Sequence, residues 1–185
     1  MKLTLFFLIT FLSLNFSWAA ITLEDFKATD VVTDQEQGFT FPSKEKYSVM
    51  IFVSAQCPCS ASHEGLLKDL KKDFKDFAFI GVHANANEST EIAKAHFQAT
   101  QFPFPVIQDK KSLLANKLGA LKTPHAFVLN AQGTVLYAGG VTDSHVGPSA
   151  KKHYLREVLE DLQAGKQPRH KEGRALGCYI QREDE

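Results

Sequence analysis

Residues 47–53, Tyr-Ser-Val-Met-Ile-Phe-Val, form a continuous apolar run long enough for one buried strand. After Ser54-Ala55-Gln56 the chain reads Cys57-Pro58-Cys59-Ser60. From Ser60 to Phe77 the spacing is helical: Leu66, Leu67, Leu70 and Phe74 share one face, with Lys68, Asp69, Lys71 and Lys72 opposite. A buried strand that runs into a proline-started helix restricts the fold more than any other feature of the chain. Proline suits the first helical position, where its missing N–H costs nothing. That places Cys57 at the N-cap and Cys59 and Ser60 in the first turn.

The pattern continues. Residues 77–82 read as a second buried strand and 88–97 as a helix, with Ser89 and Thr90 near its start. Residues 104–108 are extended, since their prolines disfavour helix. Residues 112–118 form a short helix stopped by Gly119. Residues 126–129 and 134–137 flank Asn-Ala-Gln-Gly as a hairpin, and 150–162 form a last amphipathic helix closed by Gly165 and Pro168. Residues 20–47 are polar and mixed, with turn residues at Asp34, Gly38 and Pro42. Strands alternating with helices, then a hairpin and a helix, predict an α/β fold with a central mixed sheet flanked by helices on both faces. Phe102-Pro103-Phe104-Pro105 reads as core packing at a strand boundary. Asp143, in Gly-Gly-Val-Thr-Asp-Ser-His, reads as a turn former.

The first residues have a different character. Lys2 precedes the apolar run Leu3–Phe16, and Ser17 and Ala19 stand at the small-residue positions of a cut after Ala19. The run is short for a membrane span of about 20 apolar residues, so residues 1–19 are expected to be a cleaved secretory signal. The expected destination is across the inner membrane, in the periplasm of a double-membraned bacterium, with no membrane association after cleavage. Residues 20–165 would form the domain, and 166–185 a tail carrying Cys178. At 185 residues with 21 basic and 21 acidic side chains, the chain is long enough for a real core and carries no charge bias toward nucleic acid.

Three cysteines in an exported chain leave one thiol over, or one shared between two partners. A sulfur at a helix N-terminus faces unpaired N–H groups and the positive end of the dipole, which favours thiolate and nucleophilicity at Cys57. Cys59 is two residues on, so a Cys57–Cys59 bond needs non-helical geometry and would be readily reduced. The other reading of Cys59 is a free thiol packed inward.

The stretch Phe52–Ser60, the following helix and Leu121–Gly140 (Leu-Lys-Thr-Pro-His-Ala-Phe-Val-Leu-Asn-Ala-Gln-Gly-Thr-Val-Leu-Tyr-Ala-Gly-Gly) together resemble the thioredoxin superfamily. More closely they resemble its redoxins, the alkyl hydroperoxide reductase/thiol-specific antioxidant group, over about residues 45–165. The resemblance implies a cis bond at Thr123-Pro124, lying against the active cysteine. The ending around Gly177-Cys178 is similar to exported redoxins with a Gly-Cys tail element. It implies Cys57 as attacking thiol, Cys178 as resolving thiol, Cys59 as either a packed thiol or a competing local resolver, and Ser54, Pro58, Thr123 and Pro124 as supporting residues. The expected partners are a thiol- or disulfide-bearing protein or a peroxide, together with an external thiol reductant; no cofactor is implied. The chain departs from the family at two points. Residue 60 is serine, so Cys-x-x-Cys is absent. In the peroxiredoxin pattern Ser54 fits, but Met50 stands where proline is expected, and Arg156 is the nearest arginine by order.

A second function is open to the same residues: a periplasmic copper-binding chaperone of thioredoxin-like fold, with thiolates of Cys57 and Cys59 and the imidazole of His125 as soft ligands. His63 lies one helical turn beyond Cys59. His83, His96, His145, His153 and His170 read as surface or hydrogen-bonded histidines.

Overall fold

A five-stranded sheet runs in the order β5 (Val106–Gln108), β4 (Ala78–His83), β3 (Tyr47–Val53), β7 (His125–Asn130) and β8 (Val135–Gly139). The structure, a computed structural model, describes residues 21–183; the expected signal at 1–19 lies outside the described residues. β5, β4 and β3 are parallel, while β7 and β8 join antiparallel. The sheet is mixed, as the alternation of strands and helices predicts.

Side chains of β3 alternate between two cores, the consequence of a two-residue strand period. Val49, Ile51 and Val53 join Leu67 and Leu70 of α1 (Pro58–Asp73), Phe74 just beyond it, Ala93 and Phe97 of α2 (Thr90–Thr100), and Leu155 and Leu159 of α4 (Tyr154–Gln163). Met50 and Phe52 join Ala115 and Leu118 of α3 (Leu113–Leu118). Phe102 and Phe104 stack at 4.8 Å, and Phe104 meets Phe79 at 5.7 Å, the apolar packing expected of that stretch.

Three helices differ in extent from the sequence expectation. α1 stops at Asp73, because Phe74 and Phe77 turn into the core and meet edge-on at 5.7 Å. α2 starts at Thr90 with Ser89 as N-cap, accepting from Ile92 N, so Glu88 stays in the preceding loop. α4 starts at Tyr154 rather than at residue 150. The Asp143 carboxylate accepts from Lys151 N at 2.9 Å and Lys152 N at 3.0 Å, and holds those residues outside the helix. Asp143 is thus a loop-forming aspartate, as expected. Gly119 closes α3 with φ 70°, a conformation that favours glycine.

Two small ladders escape the sequence pattern. β1 (Phe26–Thr29) and β2 (Glu36–Phe39) form a hairpin in the stretch that reads as mixed and polar, with Phe26 and Phe39 stacked at 4.7 Å. β6 (Lys122–Thr123) pairs antiparallel with β9 (Cys178–Tyr179).

That second ladder belongs to a tail fixed along its length. Arg169 makes a two-pronged pair with Asp161 of α4, at 2.8 and 2.7 Å, and this guanidinium holds the Asp161 carboxyl well below the usual range. Gly173 N then bonds Ala138 O at 3.0 Å, Ile180 N bonds Leu121 O at 3.0 Å, and Ala86 N bonds Gln181 O at 2.8 Å. Ile180 is buried, which stabilises the docked tail by about 2 kcal/mol.

Candidate functional site

Cys57 caps α1 with extended backbone, φ −84° and ψ 115°, and Pro58 occupies the first turn, as the sequence indicates. The side chain is 3% exposed. Thr123-Pro124 is cis, and Cys57 Sγ lies 3.2 Å from the Thr123 carbonyl oxygen. β9 brings Cys178 to the same point, opposite Thr123 in the ladder. Cys57 and Cys178 are joined as a disulfide, with Cα atoms 6.0 Å apart. Strand, helix end, cis-proline loop and tail therefore converge on one bond. The bond borders a cleft of about 220 Å³ that also touches Ser54, Gln56, Asn85, Glu88 and Tyr179.

Gly177 is needed for this approach. A Cβ there would stand 2.0 Å from the Thr123 carbonyl oxygen, inside any contact distance. Gly177→Ala is expected to weaken tail docking by about 1–3 kcal/mol through this overpacking. It should slow Cys57–Cys178 bond formation, read by timed thiol alkylation during reoxidation.

Cys59 is free and half-exposed. It is not packed inward, because the first turn of α1 directs it toward the loop carrying His145, whose Nδ1 lies 3.8 Å from its Sγ. The three sulfurs of Cys57, Cys59 and Cys178 lie within 4.8 Å of one another. Among the described residues this is the group of ligand atoms that converges, and His125 is not part of it. His125 is buried beside Phe127, at 4.5 Å between rings, and its Nδ1 accepts from Leu121 N. His63 is also buried, held between the Cys59 carbonyl at 2.8 Å and Thr142 Oγ1 at 2.9 Å. Arg156 binds Asp73 at the far end of α1, about 24 Å of helix from Cys57, so it does not serve this cysteine.

Beneath the 54–57 loop lies a polar network whose key residue the sequence does not single out. Ser54 Oγ accepts from Cys57 N at 3.0 Å and donates to Glu88. The Glu88 carboxylate also accepts from Ala55 N at 2.8 Å, Asn85 Nδ2 at 3.1 Å and His83 Nε2 at 2.9 Å. His83 is itself fully buried, and its Nδ1 meets Gln108 Oε1 at 3.0 Å. Burial opposes the Glu88 charge, but the bonds from His83, Ser54 and Ala55 N outweigh it and hold the carboxyl down at about 2. Ser54 thus supports Cys57, and Glu88 supports Ser54. A histidine closing an otherwise apolar strand, with a glutamate five residues on, is the one sequence signal that could have pointed here. The Thr123 hydroxyl, buried beside this loop, has no hydrogen-bond partner among the described residues.

These shifts set an acid response. Burial lowers His125 from 6.5 to about 4, so the unfolded chain takes up a proton there that the folded chain refuses. Stability should fall as pH drops from 6.5 to about 4. The Glu88 contribution is present above 4.5 and is lost as pH falls toward 2. Urea-unfolding midpoints measured across pH should show both windows, and His125→Asn should flatten the upper one.

The sheet, the N-terminal helix cysteine and the cis-proline loop define a thioredoxin-like fold. The model of the family described as a domain of unknown function, DUF6436, matches residues 26–182, and the chain belongs to that family. An uncharacterized conserved protein from Geobacillus kaustophilus superimposes with a TM-score of 0.79 at 22% identity, covering 92% of this chain and 95% of its own. The peroxidoxin BcpB from Mycobacterium tuberculosis gives 0.54 at 18% identity, covering 63% and 81%. A thiol-disulfide oxidoreductase from Bacteroides fragilis gives 0.54 at 17%, covering 63% and 88%. At these identities the likeness is one of fold. No curated protein matches the chain. No helix among the described residues is long and apolar enough to cross a membrane.

Proposed function

We propose that this chain is an exported redoxin that exchanges disulfides through Cys57 and Cys178. The observation that carries the reading is the Cys57–Cys178 bond at the N-terminus of α1 against Thr123. The leader pattern of residues 1–19 supports export, and an oxidising compartment suits the chemistry.

In the reduced chain the helix N-terminus favours the Cys57 thiolate. It attacks one sulfur of a substrate disulfide; a mixed disulfide forms and the substrate's other sulfur leaves as a thiolate and takes a proton. Cys178 then attacks Cys57 Sγ, the internal bond forms, and the second substrate thiol leaves. The chain's two thiols are oxidised and the substrate is reduced by two electrons. An external dithiol returns the chain to the start; with a reducing protein substrate the same steps run backward. In that reverse direction the incoming thiolate attacks Cys57 Sγ from the cleft it borders, and Cys178 leaves as a thiolate and takes a proton.

Disulfide exchange is favoured over peroxide reduction because three of the four arginines, Arg156, Arg169 and Arg182, are bound elsewhere, to Asp73, to Asp161 and to Asn116 with Ala120 O, while the fourth, Arg174, is exposed on the tail. The test compares the reduced chain, with a dithiol reductant in excess, on a small peptide disulfide and on hydrogen peroxide. Faster turnover of the disulfide supports the reading. Rapid peroxide consumption with an inert disulfide would replace it with a peroxidase.

A further inference from the structure

Disulfide exchange between Cys57 and Cys178 leaves Cys59 without a task, although the fold holds it beside both. The Cys59 sulfur is within 4.8 Å of each of the other two, and it remains a free thiol when they are bonded. Two of the three sulfurs come from the N-cap and first turn of α1 and one from β9, so they approach a common point from two elements.

We propose that the fully reduced chain binds one copper(I) ion through the three thiolates of Cys57, Cys59 and Cys178. The donor chemistry selects the ion. Thiolates are soft and favour copper(I) over hard oxygen-seeking cations. The nearby carboxylate of Glu88 is already committed to Ser54, Ala55 N, Asn85 and His83, which leaves a sulfur set. Three sulfurs suit the low coordination number of a monovalent d¹⁰ ion, whereas zinc takes four ligands. The excess negative charge of three thiolates faces the positive end of α1. The cleft of about 220 Å³ at Cys57 and Cys178 gives access from solvent.

Redox state gates the site. Formation of the Cys57–Cys178 bond removes two of the three ligands, so the oxidised chain has only Cys59 to offer. A dithiol reductant gives the disulfide two electrons and two protons and opens the site. The ion then displaces the three thiol protons to solvent. The ligand set differs from the sequence expectation of Cys57, Cys59 and His125: the tail cysteine takes the place of the histidine.

The experiment uses the purified full chain, reduced with excess dithiol under anaerobic conditions, desalted, and titrated with copper(I) against a chromogenic copper(I) chelator. The expected result is one ion per reduced chain, none retained by the oxidised chain, and affinity in Cys59→Ser weaker by more than about 100-fold, beyond the usual cost of outer-shell changes. Peptide mapping of oxidised Cys59→Ser for the Cys57–Cys178 bridge shows whether the variant's site has folded, and Cys59→Ala provides a second variant with the same expectation. Equal affinity in the folded Cys59 variants, or equal retention by the oxidised chain, would overturn the proposal. So would preferential retention of zinc in a parallel competition, with loss in His145→Ala, which would make the site a four-ligand zinc centre. Disulfide turnover is read separately, so either conclusion can fail without the other.

Discussion

Cys57→Ser is expected to lower disulfide exchange at least about a thousand-fold, because serine's hydroxyl is not a nucleophile at the same pH and has no second residue to replace it. Cys178 stands on β9 without a helix N-terminus to favour its thiolate, and Cys59 has the half-exposed position rather than the place against Thr123. The variant also loses the bond that closes a separation of 121 residues, which in the chain-entropy model costs about 4–5 kcal/mol. Stability and activity are therefore measured together. Cys178→Ser separates them: it removes the same bond but keeps the attacking thiol, so it should accumulate a mixed disulfide on Cys57, visible by mass. Turnover by Cys57→Ser within tenfold of wild type would remove Cys57 from the mechanism.

Glu88→Ala should destabilise the fold by about 3–5 kcal/mol, because several buried donors lose their acceptor at about 1–3 kcal/mol each. It leaves His83, fully buried, without its carboxylate, and Ser54, Ala55 N and Asn85 without their acceptor. The 54–57 loop then loses its brace, so Cys57 should also exchange more slowly than the fall in stability explains. Glu88→Gln keeps the acceptor oxygen and should recover part of both. Urea unfolding gives the first effect and single-turnover exchange on the folded fraction gives the second. Wild-type stability in Glu88→Ala would show that the network contributes little.

What could be read from the sequence was local. A seven-residue apolar run, a proline one residue past a cysteine and leucines at helical spacing are nearest-neighbour signals, and they placed β3, Cys57 and α1. The Thr-Pro pair before a strand marked the loop that meets Cys57. Boundaries failed where a distant group intervened, as when the Asp143 carboxylate holds Lys151 and Lys152 outside α4. The brace at Glu88 was not legible because its partner Ser54 lies 34 residues away. The close approach of Gly177 to Thr123 depends equally on contact across the fold, as does the gathering of Cys59 with Cys178 rather than His125. The β6–β9 ladder is only two residues long on each side, too short to show a strand period.

The most direct test of the account is a peptide mass map of the chain, fully reduced, exposed to one equivalent of a small disulfide, and then alkylated at intervals. The expected course is transient modification of Cys57, then a Cys57–Cys178 bridge with Cys59 alkylated throughout, all reversed by a dithiol. A first adduct on Cys59, or three alkylated thiols at the end, would contradict Cys57 as the attacking residue and Cys178 as its resolving partner.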